Sequence, residues 1–205
     1  MADNYEKNYE SLRPRLQSLD VDAVSANLGL AAPVDGCLHI DLLHRHYRID
    51  QSGVYDEGGE GLANVNCKSV LIWYLTHGGS GEPHHRFQPL QALCPSPIAG
   101  SGSDANWQAA EIERIFGQAE QKVSPTMTAF GAQAVESGSS ADATWRLMAL
   151  PKMPMELRYY RADEEFPCSV DILVDQTAMT FLPFEALGEL VGYIYEELAH
   201  IAKSL

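Results

Sequence analysis

The sequence predicts an α+β fold: a mostly antiparallel sheet of about five strands flanked by helices, in a single domain over residues 1–205. Three observations predict it. Apolar residues recur at every second position in Leu38, Ile40, Leu42 and again in Cys168, Val170, Ile172, Val174, the period of a half-buried strand. Apolar residues recur every three or four positions near both ends of the chain, the period of a helix face. Strand candidates follow one another across short turns, which suits antiparallel pairing.

The elements follow in order. Tyr5, Tyr9, Leu12, Leu16 and Leu19 mark a first helix that Pro14 should end or kink. Asp20 reads as the N-cap of a short helix stopped by Gly29, so helices occupy 3–29. Over 37–77, a strand at Cys37–Leu42 and a partner at His46–Ile49 form a hairpin. Asp56–Gly61 is a solvated turn, and Asn66–His77 is a helix apolar nearly all round and so buried on several sides. Residues 78–103, rich in Gly, Pro and Ser, form a flexible extended connection with a short apolar island at Phe87–Leu93. Helices fill 104–130, the first capped by Asp104 and the second opened by Ser124-Pro125. Over 143–203, strands at Thr144–Leu150 and Met155–Arg161 flank a Pro151–Pro154 turn. A third strand runs from Cys168 to Val174, and Pro183 opens a long helix with Phe184, Leu187, Leu190, Val191, Ile194, Leu198 and Ile201 inside.

Composition narrows the function. The chain is 45% hydrophobic and 20% charged, an ordinary globular balance. Lys plus Arg number 14 and Asp plus Glu 28, a net charge of −14 that repels nucleic-acid phosphates and anionic lipid. No apolar run approaches the ~20 residues of a membrane span. Met1–Glu6 has neither the basic nor the apolar stretch of a signal peptide, so the expectation is a cytoplasmic, soluble protein that binds neither nucleic acid nor membrane. Cys37, Cys67, Cys94 and Cys168 form no Cys-x-x-Cys element. They read as free, buried thiols, and no iron–sulfur cluster is expected within the chain.

Several constellations could carry chemistry. His77, His84 and His85 surround the Gly-rich segment and are candidate metal ligands; the plainer account is a surface loop, with His77 at a helix C-terminus. Cys37, His39 and Asp41 share a strand face with His44 and His46 nearby, which alternation alone explains. Gly100–Ser103 precedes a helix but lacks the Gly-Lys-Ser/Thr of a phosphate loop, and Asp104 places a charge where phosphate would sit. Asp163, Glu164 and Glu165 follow one strand, while Asp171 and Asp175 lie in or just after the next. Carboxylates so placed could hold a hard cation or divide acid–base work, so Asp163, Glu165 and Asp175 are the catalytic candidates. Against this stands a solvated turn with a capping aspartate. No Gly-x-Ser-x-Gly elbow occurs.

The last third also carries a pattern: Trp145-Arg146-Leu147, Leu150-Pro151-Lys152-Met153-Pro154-Met155, Tyr160, Asp163-Glu164-Glu165-Phe166-Pro167, Asp171-Ile172-Leu173-Val174-Asp175 and Phe181-Leu182-Pro183-Phe184-Glu185. It resembles the bacterial and archaeal family catalogued as domain of unknown function 3786, with Val174 where that family usually has phenylalanine. The resemblance covers about residues 142–191 and is looser toward the N-terminus; residues 80–104 depart from the family's glycine-aromatic pattern. It implies no established activity. Some members look like fusions to a small iron–sulfur domain similar to one in corrinoid iron–sulfur proteins of anaerobes. By that analogy the chain is a non-catalytic accessory or binding module working beside a separate redox or corrinoid protein. The alternative is a metal-dependent enzyme built on Asp163, Glu165 and Asp175. A third, compatible account makes the motif architectural, with Glu164 or Glu165 satisfying backbone donors and Phe166 and Pro167 packing the corner between strands.

Overall fold

The computed structural model describes residues 2–59, 62, 64–94, 104–136 and 138–205. The expected loop at Gly100–Ser103 lies outside them. Helix α1 (Ala2–Leu12) passes at Pro14 into a 3-10 turn over Arg13–Ser18, and α2 (Val21–Leu28) follows. Asp20 caps α2 by accepting from the Ala23 amide at 3.0 Å, and Gly29 closes it at φ 69°, a conformation glycine takes without strain.

Strands β1 (Leu38–Leu42), β2 (Arg45–Asp50) and β3 (Gly53–Gly59) form an antiparallel three-stranded sheet. The stretch expected as a turn at Asp56–Gly61 is therefore strand as far as Gly59. Gly59 has a packing reason: a Cβ there would sit 2.2 Å from the His44 carbonyl oxygen. The polar face of this sheet carries cross-strand pairs, His46 with Asp41 and His39 with Glu57, and a pair along β2, Arg48 with Asp50, so His39 and Asp41 each have a partner on the sheet. Helix α3 (Val65–Thr76) buries Val70, Leu71, Ile72, Tyr74 and Leu75, all at 2% exposure or less, between α1, β3 and the C-terminal helix.

The second sheet has five antiparallel strands in the order β4 (Phe87–Pro89), β8 (Ser169–Asp175), β7 (Met153–Tyr160), β6 (Ala143–Leu150), β5 (Gln133–Ala134). Short α4 (Leu90–Leu93) follows β4. Helices α5 (Asp104–Gln118) and α6 (Val123–Ala129) precede β5, so α6 begins before Ser124-Pro125 rather than at it. Helices α7 (Ala178–Phe181) and α8 (Phe184–Ser204, opened by Pro183) end the chain. Met155, Leu157 and Tyr159 of β7, with Val170, Ile172 and Val174 of β8, face a core closed by α5 and α8. The Tyr195 hydroxyl donates to the Val170 carbonyl at 2.9 Å. The core is one continuous cluster running into the smaller sheet, which is tied to β6 where the Leu43 amide donates to the Ala149 carbonyl at 2.9 Å. Among the described residues no helix is long and apolar enough to cross a membrane.

The Pro151–Lys152 turn between β6 and β7 gathers three remote segments. Lys152 takes φ +60°, and its ammonium donates to the Asn27 carbonyl and the Gly81 carbonyl, each at 3.0 Å, and pairs with Glu82 at 2.8 Å. The Tyr74 hydroxyl donates to the Pro151 carbonyl. The leucine-proline-x-x-proline motif thus holds α2, α3 and the 78–85 segment against one turn.

Candidate functional site

Strand β8 separates the sequence-predicted carboxylates. Asp163 and Glu165 lie in the loop entering it and Asp175 at its far end, so the length of the strand, about 20 Å, stands between them. Asp175 is 1% exposed. It accepts from the Thr177 hydroxyl (2.6 Å) and from the amides of Thr177 (2.9 Å), Arg86 (3.0 Å) and His84 (3.2 Å). Burial alone would raise this carboxyl, but the four donors outweigh it and hold the group below the usual carboxylate range. Asp175 is an anchor that draws the 84–86 segment onto the sheet.

The three histidines also have separate partners. The His77 ring donates from Nε2 to the Met179 carbonyl at 3.1 Å, the Gln176 amide donates to His84 Nδ1 at 2.6 Å, and the His85 ring stands edge-on to Phe87 with centroids 6.5 Å apart. Among the described residues, no three His, Cys, Asp or Glu side chains converge as a metal site would require.

The Asp163–Pro167 turn is built differently from the architectural expectation. Asp163, not Glu164 or Glu165, satisfies the backbone donors: its Oδ1 accepts from the amides of Phe166 (2.7 Å) and Glu165 (2.8 Å). These bonds hold the Asp163 carboxyl below its ordinary value. The Asp163 amide donates back to the Phe166 carbonyl at 2.9 Å, closing the turn. Phe166 does not pack the corner between strands. Once its backbone is spent on that turn, its ring points outward and is 66% exposed. The turn borders a concavity of about 460 Å³ lined by Asp142, Tyr160, Arg161, Asp163, Phe166 and Pro167. Arg161 is held there by Glu120 at 2.6 Å.

A second concavity, about 430 Å³, opens on the sheet face away from α5 and α8. At its floor Glu156 of β7 is 2% exposed and lies between two arginines. Arg146 of β6, its register partner, donates from Nε to Oε2 (3.0 Å) with Nη2 in ion-pair contact at 2.9 Å; Arg158 donates from Nε (2.9 Å) and Nη2 (2.7 Å) to Oε1. Arg146 also lies over the Phe87 ring at 5.0 Å. Sequence reasoning missed this triad. Its signal was the Glu156-x-Arg158 alternation on the polar side of a strand whose other side is Met155, Leu157 and Tyr159.

With this geometry in view, the family profile described as Domain of unknown function (DUF3786) matches residues 20–197. The chain belongs to the DUF3786 family. No curated protein and no solved structure matches it. The DUF3786 match takes in both sheets, the Lys152 turn, the Asp163–Pro167 turn and the Arg146–Glu156–Arg158 triad.

Proposed function

We propose that this protein is a non-catalytic accessory module that docks on a partner protein through the Asp163–Pro167 turn. The observation that supports this most is Phe166, an aromatic ring 66% exposed on a turn pre-organised by two Asp163 hydrogen bonds. A large aromatic held outward costs solvation in the free protein, and such rings are common anchors at interfaces because burying one contributes much of the binding energy. Asp163, Glu164 and Glu165 are exposed beside it, so the complementary surface is basic with an apolar recess. The resemblance to relatives carrying an iron–sulfur domain favours a redox or corrinoid protein as that partner, met in the cytoplasm of an anaerobe. The metal-enzyme alternative gains no support from carboxylates separated by the length of β8.

The test is affinity capture under anaerobic conditions from the native host, comparing the wild-type chain with Phe166→Ala. One protein recovered reproducibly by the wild type and reduced at least about tenfold by the substitution supports docking, since losing an anchor worth about 2 kcal/mol has that effect. Equal recovery by both chains contradicts it.

A further inference from the structure

We infer that the concavity over Arg146, Glu156 and Arg158 is a binding site for a small oxyanionic ligand, a carboxylate or phosphate group. This rests on observations independent of Phe166, which lies in the other concavity. A carboxylate at 2% exposure on the outer face of a sheet is an expensive element, and apolar residues in place of all three members of the triad would serve stability as well or better. What Glu156 accomplishes is positional. Arg158 gives it Nε and Nη2 and Arg146 gives it Nε with Nη2 in ion-pair contact, which holds both guanidinium groups from one side. Among the described residues, the Nη1 group of Arg146 has no hydrogen-bond partner, and the Arg146 side chain is 44% exposed. Phe87 supports that guanidinium from behind at 5.0 Å.

Two guanidinium groups held in place and facing a concavity match an oxyanion, which accepts paired N–H donors in one plane. One of the two positive charges is cancelled by Glu156, so the floor carries a net single positive charge in a chain whose overall charge is −14. His85 lines the same wall and adds a ring nitrogen, while Glu136 is an exposed carboxylate at the rim that opposes an anion. The signs of the two predicted mutational effects are therefore opposite.

The experiment is a titration of the full chain with inorganic phosphate, and separately with succinate, followed by the arginine Nε–Hε signals in nuclear magnetic resonance. Saturable shifts of the Arg146 and Arg158 signals with either probe are expected, and the stronger probe identifies the ligand chemistry. Arg146→Lys keeps the charge but loses the planar fork, and should weaken binding at least about tenfold. Glu136→Gln removes the opposing charge and should tighten binding severalfold. Neither probe giving saturable shifts overturns the inference. So does an affinity unchanged in both variants, since an ion held by general surface charge would ignore the fork.

Discussion

The Asp175 carboxylate accepts from the Arg86 amide at 3.0 Å, so the last residue of β8 fixes the residue immediately before β4. The chain between residues 78 and 86 has little secondary structure, and this bond with its neighbour at His84 sets its course. Asp175→Ala would leave three amides and the Thr177 hydroxyl without their acceptor, and a charge-assisted bond contributes about 1.5–3 kcal/mol net, less where water takes the place of the carboxylate. A loss of about 3 kcal/mol is expected in urea denaturation. Loss below about 0.5 kcal/mol would show that the anchor is not needed.

The same carboxylate sets a pH dependence. Its folded-state pKa lies below the unfolded value, so its contribution is present above the unfolded pKa and disappears as pH falls through the folded one. Wild-type stability should drop on acidification below about pH 4. Asp175→Asn, which does not titrate, should be weaker at neutral pH and flatter across that window. Parallel stability curves for the two chains would contradict the assignment.

Lys152 should control the protease sensitivity of the 78–85 segment. Lys152→Gly preserves the φ +60° backbone and removes the contacts to Asn27, Gly81 and Glu82. Limited proteolysis should then cut near Gly81 several times faster than in the wild type, with the strand pairing of β6 and β7 intact by hydrogen exchange.

Glu156 predicts a non-additive result. Glu156→Leu alone strands two arginines around an apolar side chain and should destabilise the fold, by less than the about 3–5 kcal/mol of a fully buried pair because these arginines are 44% and 26% exposed. The triple change Arg146→Met, Glu156→Leu, Arg158→Met removes every partner together and should recover most of that loss. A triple variant as unstable as the single one would mean the triad is a stabilising unit rather than a positioning device.

The cysteines differ in reactivity. Cys67 is 1% exposed, and burial pushes its thiol up to about 12; Cys168 is buried too. Cys37 and Cys94 are half-buried, contrary to the expectation that all four lie inside. A maleimide applied to the native chain at pH 7.5 should modify Cys37 and Cys94 first, read by peptide mass, with Cys67 labelled only on unfolding.

Much of the fold was legible because the apolar period survives where one face is covered. Cys168–Val174 and Leu187–Leu198 read correctly for that reason. Strand β3 did not, because its Asp56–Gly59 stretch has turn composition and is extended only by pairing with β2, and β5 is two exposed residues held by β6. At the site, residue types could be seen but not their neighbours. Asp163 and Asp175 look close in sequence, yet a strand's length parts them. Arg146 and Glu156 meet through a register that shifts between Met148 and Leu150, which one sequence does not disclose. Phe166 read as a packing residue because aromatic side chains usually are; only the Asp163 turn turns it outward.

The most direct test of the docking account is photocrosslinking in the native host from a photoreactive phenylalanine analogue placed at position 166, with the same analogue at exposed Met148 as control. The account predicts one discrete adduct with a basic protein from position 166, weakened by added salt, and none from position 148. No adduct from position 166 above that control would contradict it.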